Sequence, residues 1–184
     1  DSGDVYIVKT DGDGNKMWMK HYGSTSLDKG YAVKETSDTC YIVAGVSDGT
    51  IYVIKLDALG NKVFVKSYDK DGFCEGRDLC VSADRGYVVA GSKDSTVILI
   101  KADSLGNLVW TRQYGVTAVS KGYSLDNTSD GGYIVAGLTT VNGAPDVYLI
   151  KTDGDGVETW SATYGGLKVD KGYSVQQLSD GGYV

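Results

Sequence analysis

The sequence has 184 residues and a formal net charge of −6, and it holds 26 Gly, 14 Tyr and a single Pro. Its 18 basic residues are spread along the chain, which argues against nucleic acid as a partner because phosphate binding needs a clustered basic footprint. No run approaches the ~18 apolar residues of a membrane-spanning helix, so we expect no membrane insertion.

Four similar segments, each an apolar strand that ends in Lys, follow one another along the chain. They are Tyr6–Lys9, Tyr52–Lys55, Ile98–Lys101 and Tyr148–Lys151, with Lys-to-Lys spacings of 46, 46 and 50 residues. A second block repeats in step with them: Tyr41–Gly45, Tyr87–Gly91, Tyr133–Gly137 and finally Tyr183–Val184. Self-similarity at this period indicates a propeller or a solenoid, and the longer last interval indicates a loop insertion at Val141–Ala144.

Each repeat is predicted to form four strands, which we name A to D. In chain order they are Gly122–Thr128, Tyr133–Gly137, Val147–Lys151 and a strand around Trp160 that ends near Tyr164. Asp- and Gly-rich turns separate A from B and C from D, and the unbroken apolar runs of B and C are typical of strands covered on both faces. Four strands in 46 residues favour an antiparallel propeller blade over the shorter parallel coil of a solenoid.

The repeats predict one all-β domain, a β-propeller of four four-stranded antiparallel blades of about 46 residues each. Blades are expected at 23–68, 69–114 and 115–164. Residues 1–22 supply strands C and D of the remaining blade, and residues 172–184 supply its strands A and B. The split blade closes either between the chain's own ends or between two copies, as an eight-bladed dimer or an open filament.

Three cysteines leave two alternatives open. Cys74 and Cys80 are close enough in sequence to form a disulfide with Cys40 left over, or all three are unpaired thiols.

Each strand C ends in a Lys that stands two residues before an Asp, as Lys55 does before Asp57. Side chains two residues apart lie on the same face of a strand, so we expect Lys and Asp to form structural ion pairs within each repeat. The Trp or Phe of each strand D is expected to pack between neighbouring blades.

The turn between strands C and D carries calcium-like spacing in two copies. Asp11, Asp13 and Asn15 stand at alternate positions, and Asp153 and Asp155 repeat the first two. The other two copies lack the second Asp yet should form the same turn, so we favour a turn role over calcium, which wants several oxygen ligands. We predict no cofactor, with calcium as the weaker alternative.

Catalytic motifs are weak. Gly45, Ser47 and Gly49 match a nucleophile-elbow string, but the elbow needs a strand-to-helix turn and a His partner, whereas this segment joins two strands. His21 is the only histidine and lies in a predicted strand D. We therefore predict that the chain is not an enzyme.

Ligand-binding residues are expected in loops that differ between copies. The D-to-A and B-to-C loops meet at one end of a propeller, which we call the loop face. The polar candidates on it are Asp28, Lys29, Glu75, Arg77, Lys121, Asn142, Asp170 and Lys171. This mixed-charge surface suits a glycan or a protein partner, and the alternative is a solvated face without a ligand. Asn127 begins an N-glycosylation acceptor string that has meaning only in an exported protein.

The patterns Asp-Lys-Gly-Tyr, Ser-Asp-Gly-Gly-Tyr-Ile-Val-Ala-Gly and Asp-Val-Tyr-Leu-Ile-Lys-Thr-Asp together resemble the tandem β-propeller repeats of bacterial and archaeal surface and secreted proteins. The Asp-x-x-Gly-Asn-x-x-Trp segment is similar to the tryptophan docking motif of quinoprotein-type propellers, although nothing matches the cofactor ligands of quinoprotein enzymes. The resemblance implies an extracellular or cell-surface location and a binding or scaffolding role. Residues 64–77 depart most from the repeat, with Phe64 for Trp and Arg77 for Tyr.

These observations predict a non-enzymatic extracellular binding or scaffold module whose partner is a protein or a glycan. The alternative is a self-assembling structural subunit, a filament, array or eight-bladed dimer, completed by blade sharing between chains. A propeller lyase or hydrolase that uses Asp, Glu and Tyr on the loop face is the third hypothesis. We also expect either a processed mature chain or an excised piece, because the sequence starts at Asp1 without a leader-like segment.

Overall fold

The computed structural model describes residues 3–115, 119–141 and 143–184. These residues form fourteen antiparallel strands and no helix, so they include no helix that could cross a bilayer. The strands are β1 (Val5–Thr10), β2 (Lys16–Tyr22), β3 (Asp28–Glu35), β4 (Tyr41–Ser47), β5 (Thr50–Leu56), β6 (Lys62–Tyr68), β7 (Cys74–Val81), β8 (Tyr87–Lys93), β9 (Thr96–Ala102), β10 (Leu108–Tyr114), β11 (Val119–Asn127), β12 (Tyr133–Thr140), β13 (Asp146–Thr152) and β14 (Glu158–Tyr164).

The strands build four sheets in which each strand pairs with the next along the chain. Sheet 1 is β1–β2, sheet 2 is β3–β6, sheet 3 is β7–β10 and sheet 4 is β11–β14. Residues 172–184, which we call the C-terminal hairpin, follow sheet 4; the backbones of Gln176 and Val184 exchange hydrogen bonds of 2.9 and 3.1 Å. The prediction of an all-β chain of repeated antiparallel sheets is confirmed.

The hydrophobic core lies between consecutive sheets rather than inside any one of them. Val5 of sheet 1 packs with Ile54 of sheet 2, and Val53 packs with Val89 of sheet 3. Further along, Leu99 and Val135 join sheets 3 and 4, and the C-terminal hairpin packs on sheet 4 through Val175. Strands β4, β5, β8 and β9 are buried over nearly their whole length because a neighbouring sheet covers each of their faces.

A tyrosine at the end of each of the first three strands D fastens one sheet to the next. Its hydroxyl donates a hydrogen bond to the carbonyl of the Gly in the C-to-D turn of the following sheet. The three pairs are Tyr22 with Gly60 at 2.7 Å, Tyr68 with Gly106 at 2.8 Å and Tyr114 with Gly156 at 2.5 Å. We call each pair a tyrosine latch. The aromatic side chains of strand D also pack across the junctions, with the Trp18 and Tyr41 rings 6.0 Å apart.

A glycine near the end of each strand B lets strand A approach it unusually closely. A Cβ atom on Gly45 would lie 1.8 Å from the Lys29 carbonyl oxygen, and one on Gly91 would lie 1.9 Å from that of Glu75. The pairing register shifts at the same place, between Gly30 and Ala32, so the residue between them has no partner across the ladder. Such a β-bulge turns the extra side chain to a new direction. Sheets 3 and 4 bulge in the same way at Arg77 and Tyr123.

All three cysteines are free thiols. Cys74 and Cys80 lie on the same strand, β7, six residues apart, which puts their Cα atoms about 20 Å apart, far beyond the ~7 Å reach of a disulfide. The disulfide alternative is therefore wrong. Burial raises the pKa of Cys74 to about 11 and that of Cys80 to about 12, whereas Cys40 is only half-buried, in the turn between β3 and β4.

Replacing Gly91 by Ala should destabilise the protein, because the new methyl group collides with the Glu75 carbonyl, which is fixed backbone. We expect a loss of about 1–3 kcal/mol or more in the free energy of unfolding, measured by urea denaturation. The control is Gly166→Ala, whose Cβ position has open space around it. Equal stability of the two variants would contradict the close approach of the strands.

Thiol labelling should separate the cysteines. Under native conditions near neutral pH, a thiol reagent should modify Cys40 first, because Cys74 and Cys80 are buried whereas Cys40 is only half-buried. Unfolding in denaturant should release all three thiols. Rapid native modification of Cys80 would show that the junction between sheets 3 and 4 is open.

Candidate functional site

Backbone hydrogen bonds between neighbouring sheets build the loop face. A residue at or near the start of each A segment donates its N–H to a carbonyl near the B-to-C turn of the preceding sheet, or in sheet 1 to the segment before β1. The pairs are Asp28 with Gly3, Cys74 with Gly49, Ser120 with Ser95 and Asp170 with Pro145, at 2.6–2.8 Å. The last pair shows that the predicted loop insertion ends in the same type of contact. These bonds fix the D-to-A and B-to-C loops of the described residues relative to one another.

A cleft of about 370 Å³ opens on the loop face between sheets 2 and 3. It is lined by Leu27, Lys29, Tyr31, Val46, Asp48, Gly49, Phe73 and Glu75. We call it the loop-face cleft. It combines exposed apolar side chains with three charged ones, and its volume falls in the ~300–1,000 Å³ range of small-ligand sites.

The Phe73 side chain is 59% exposed, yet the loop that carries it is held in place by hydrogen bonds and an ion pair. The Phe73 N–H donates to the Asp94 carboxylate at 3.0 Å, and the Asp94 N–H donates to the Phe73 carbonyl at 2.8 Å. Lys93 forms an ion pair of 2.6 Å with Asp69 at the start of the loop. The aromatic ring is thus presented to solvent by a loop anchored on β8 and the turn after it.

Glu75 lines the cleft and is ion-paired with Arg77. Glu75 is 8% exposed, and its carboxylate accepts a hydrogen bond of 2.7 Å from the Arg77 guanidinium. The guanidinium in turn lies 4.3 Å from the centre of the Tyr31 ring, a cation–π contact. Tyr31 and Arg77 are the bulge residues of β3 and β7, so the bulge is what directs both side chains toward each other.

The bulge position continues across the later repeats. Tyr123 of β11 stacks on Tyr173, with ring centres 5.1 Å apart. Burial raises the pKa of Tyr123, while the positive charges of Lys171 and Arg77 act in the opposite direction. Tyr31, Arg77, Tyr123 and Tyr173 therefore follow one another on the A segments of consecutive repeats, and we call them the inner stripe.

The sequence-predicted loop-face residues divide into two groups. Lys29 and Glu75 line the cleft, Arg77 binds Glu75, and Lys171 lies near Tyr123. Lys121 is half-buried on β11, just before its bulge.

The two predicted aspartates, Asp28 and Asp170, each bind a backbone N–H of their own loop. The Asp28 carboxylate accepts the Ser24 N–H at 2.6 Å, and that of Asp170 accepts the Gly166 N–H at 3.1 Å. Each closes its own D-to-A loop. Asn142 lies outside the described residues.

Sequence reasoning did not single out Tyr31, Phe73 or Asp48. A signal for Tyr31 exists in the sequence, because it follows the Gly of strand A and the paired Gly of strand B forces a bulge there. Phe73 has no such signal, since its exposure depends on how the loop is anchored by Asp94.

The calcium-like turns are closed by their own first aspartate. Asp11 accepts the N–H groups of Asp13 and Asn15 at 3.0 and 2.9 Å, and also the Asn15 side-chain amide. Asp57 makes the same contacts in a copy that lacks the second aspartate, which favours the turn role. No group of three His, Cys, Asp or Glu side chains is placed to hold a metal in the described part of the chain. Calcium stays a weak prediction.

Asn127, the glycosylation candidate, is exposed at the end of β11, and its side-chain amide donates to the Val81 carbonyl at 3.1 Å.

The predicted pairing of each strand-C lysine with the aspartate two residues later is wrong. Lys55 pairs with Asp38 at 2.8 Å, Lys101 with Asp84 at 2.8 Å and Lys151 with Asp130 at 2.8 Å. These aspartates belong to the A-to-B turn, which antiparallel pairing of B with C brings next to the end of strand C. Asp57 is instead occupied by its own turn. The lysines are nearly buried, so each needs this partner.

The comparisons with known proteins support the fold alone. The chain matches no protein-family profile and no curated protein. Among solved structures it is similar to a crystal structure of a protein of unknown function from Bacteroides caccae, with a TM-score of 0.60 and 12% sequence identity. The match covers 98% of this chain, and the chain spans 64% of the length of that structure.

The lysine–aspartate pairs predict a loss of stability in acid. Burial alone would raise the pKa of Asp84, but hydrogen bonds from Lys101 and Ser82 lower it to about 2, and the pKa values of Asp38 and Asp130 are lowered in the same way. A carboxyl group whose pKa is lower in the folded state stabilises the fold above its unfolded pKa of about 3.9. That contribution disappears as the pH falls toward the folded pKa.

We therefore expect the thermal unfolding midpoint to drop between about pH 4 and pH 2. Asp84→Asn should be less stable near neutral pH and should show a smaller drop in acid. The control is Asp155→Asn, which changes an exposed aspartate whose described contacts include no ion pair. An unchanged acid profile in Asp84→Asn would overturn this role of the pair.

Proposed function

We propose that this protein is a non-enzymatic binding module that takes a glycan in the loop-face cleft. The observation that carries the proposal is an exposed aromatic ring, Phe73, held by two backbone hydrogen bonds beside the nearly buried, ion-paired Glu75. Together with Leu27 and Tyr31, the ring forms an exposed apolar surface beside charged side chains, and a contiguous apolar patch with a polar rim is typical of a binding site.

The chemistry of the cleft suits a sugar. Sugar rings present apolar C–H faces, which pack on aromatic side chains such as Phe73 and Tyr31, and hydroxyl groups, which bond to charged groups such as Lys29 and Asp48. The cleft admits one or two rings, whereas a protein partner would normally cover a much larger surface. A glycan is therefore the better fit of the two predicted ligand classes.

The carboxylates of the loop face support binding rather than catalysis. A lyase or hydrolase would need carboxyl groups free to move protons in the site. Glu75 is ion-paired with Arg77, and Asp28 accepts the Ser24 N–H. Among the described contacts this leaves Asp48 as the one carboxylate of the cleft without such a partner, whereas glycoside hydrolysis ordinarily uses a pair. The proposal therefore assigns no catalytic residue and no cofactor to the chain.

We further propose that the four sheets are blades of a β-propeller. The split blade would form when β1 pairs with the strand at residues 183–184. The repeat pattern of the sequence supports an extracellular or cell-surface setting, in which the exposed Asn127 would be open to glycosylation.

The test is a screen against an array of neutral and acidic glycans, followed by calorimetric titration with the best glycan found. Phe73→Ala should weaken binding about tenfold or more, because burying an aromatic side chain contributes ~1.5–3 kcal/mol. Glu75→Gln should weaken it by releasing Arg77 from its position over Tyr31. The matched control is Leu105→Ala, an exposed apolar residue in a C-to-D turn on the opposite face. Absence of any bound glycan, or equal affinity of Phe73→Ala and Leu105→Ala, would overturn the proposal.

A further inference from the structure

The last tyrosine of the latch series, Tyr164, has no hydrogen-bond acceptor among the described residues. Tyr164 ends β14 in the same way that Tyr22 ends β2, yet Tyr164 is 56% exposed whereas Tyr22 is 3% exposed. The next C-to-D turn in the repeat pattern would be the one at Gly14, which stands 46 residues before Gly60. That turn lies in sheet 1, at the opposite end of the chain.

The Gly14 carbonyl is the equivalent acceptor, and no tyrosine of the described residues donates to it. The Cβ position of Gly60 has the Trp18 ring and the Tyr22 hydroxyl at 3.1 Å. Around the Cβ position of Gly14 no heavy atom lies within 4 Å. One end of the molecule thus carries an uncovered turn, and the other end carries the exposed Trp160 and Tyr164 that would cover it.

The buried lysine–aspartate ion pair is also split between the two ends of the chain. Lys9 occupies the position of Lys55 in sheet 1, and Asp180 occupies the position of Asp38 in the C-terminal hairpin. Neither takes part in an ion pair among the described residues; Lys9 instead donates to the Tyr41 hydroxyl. The three complete sheets all contain this pair, so the fourth is divided between the two ends.

The outer face of β1 has the apolar pattern of a buried strand. Tyr6 is 59% exposed while the equivalent Tyr52 is 9% exposed, and Val8 is 48% exposed while the equivalent Ile54 is fully buried. In sheet 2 this face packs on sheet 1. A further sheet on the outer face of β1 would bury both residues in the same way.

We propose that the uncovered end formed by sheet 1 binds a second copy of this chain. The C-terminal hairpin and β14 of one copy dock on β1 and β2 of the next. The register follows from the complete sheets, where Tyr41 pairs with Leu56 and Ile42 with Lys55. Tyr183 of one copy then pairs with Thr10 of the other, and Val184 pairs with Lys9.

The partner is a copy of the chain because each contact needs one group from each end of this sequence. Lys9 meets Asp180, the Tyr164 hydroxyl meets the Gly14 carbonyl, and the Trp160 indole covers the same turn. Within one copy the two ends do not cover each other, since Tyr6 and Tyr164 are both exposed. The contact is head-to-tail, so it builds a closed ring if the rotation closes and a filament if it does not.

Charge reversal tests the proposal on the full 184-residue chain. Lys9→Asp and Asp180→Lys should each weaken self-association about thirtyfold or more, because each places like charges in a largely buried site. An equimolar mixture of the two variants should associate again, since every junction between unlike chains restores one Lys and one Asp. Sedimentation velocity over a concentration series measures the association.

Two further variants separate this interface from misfolding and from closure within one chain. Lys70→Asp, an equal charge change in an exposed loop, should associate like the unmodified protein. Tyr164→Phe should fold normally and associate about fivefold more weakly, because one hydrogen bond is lost. A monomer at every concentration would overturn the proposal. So would a mixture of Lys9→Asp and Asp180→Lys that stays monomeric while the double variant alone regains thermal stability, because that result places the pair within one chain.

Discussion

The close approach of strand A to a glycine of strand B is the contact on which the rest of the structure depends. With the Lys29 carbonyl 1.8 Å from where a Gly45 side chain would begin, only glycine fits, and the strand opposite must bulge. The Gly45 carbonyl in turn lies 3.3 Å from the Cβ position of Gly76 in the following sheet. The glycines that shape one sheet therefore also let the next sheet stack on it, so local backbone geometry and inter-sheet packing share one cause.

The bulge also separates the part of the repeat that is the same in every copy from the part that varies between copies. A bulge residue has no partner across the ladder, so its side chain can change without disturbing the sheet. Strands β3 and β11 place Tyr there and β7 places Arg77, which lies over Tyr31 and binds Glu75. The departure of residues 64–77 from the repeat thus falls where the structure tolerates new chemistry. The loop-face cleft lies at that departure, next to the anchored Phe73.

The extent to which the sequence predicts the structure depends on how local each interaction is. Apolar runs and turn residues report local backbone preference, so the strands and their antiparallel order followed from them directly. The partner of Lys55 did not, because Asp57 is nearer along the chain while Asp38 is nearer in space. The antiparallel pairing of strands B and C brings the A-to-B turn, and with it Asp38, next to Lys55 at the end of strand C. Burial of the lysine strengthens this ion pair, and that burial comes from the stacking of neighbouring sheets rather than from any one repeat.

The candidate site follows the same rule. Lys29, Glu75 and Arg77 could be placed on the loop face because the repeat pattern identifies which loops share an end. The loop contacts of the aspartates at positions 28 and 170 could not be foreseen, since a carboxylate that caps a loop and one that binds a ligand look alike in a sequence. Phe73 was missed because its exposure depends on Asp94, a residue of the adjacent turn.

The junctions between sheets also determine how the ends of the molecule behave. Each internal junction combines a tyrosine latch, a buried apolar face and, within the complete sheets, a buried lysine held by aspartate. In a stack of this kind, stability is approximately the sum of the sheets and their nearest-neighbour contacts. A junction formed between two copies would contain the same groups, but it also costs the translational and rotational freedom of one molecule. It is therefore weaker than the internal junctions by that entropy and depends on concentration, which makes assembly reversible while the stack within each chain persists.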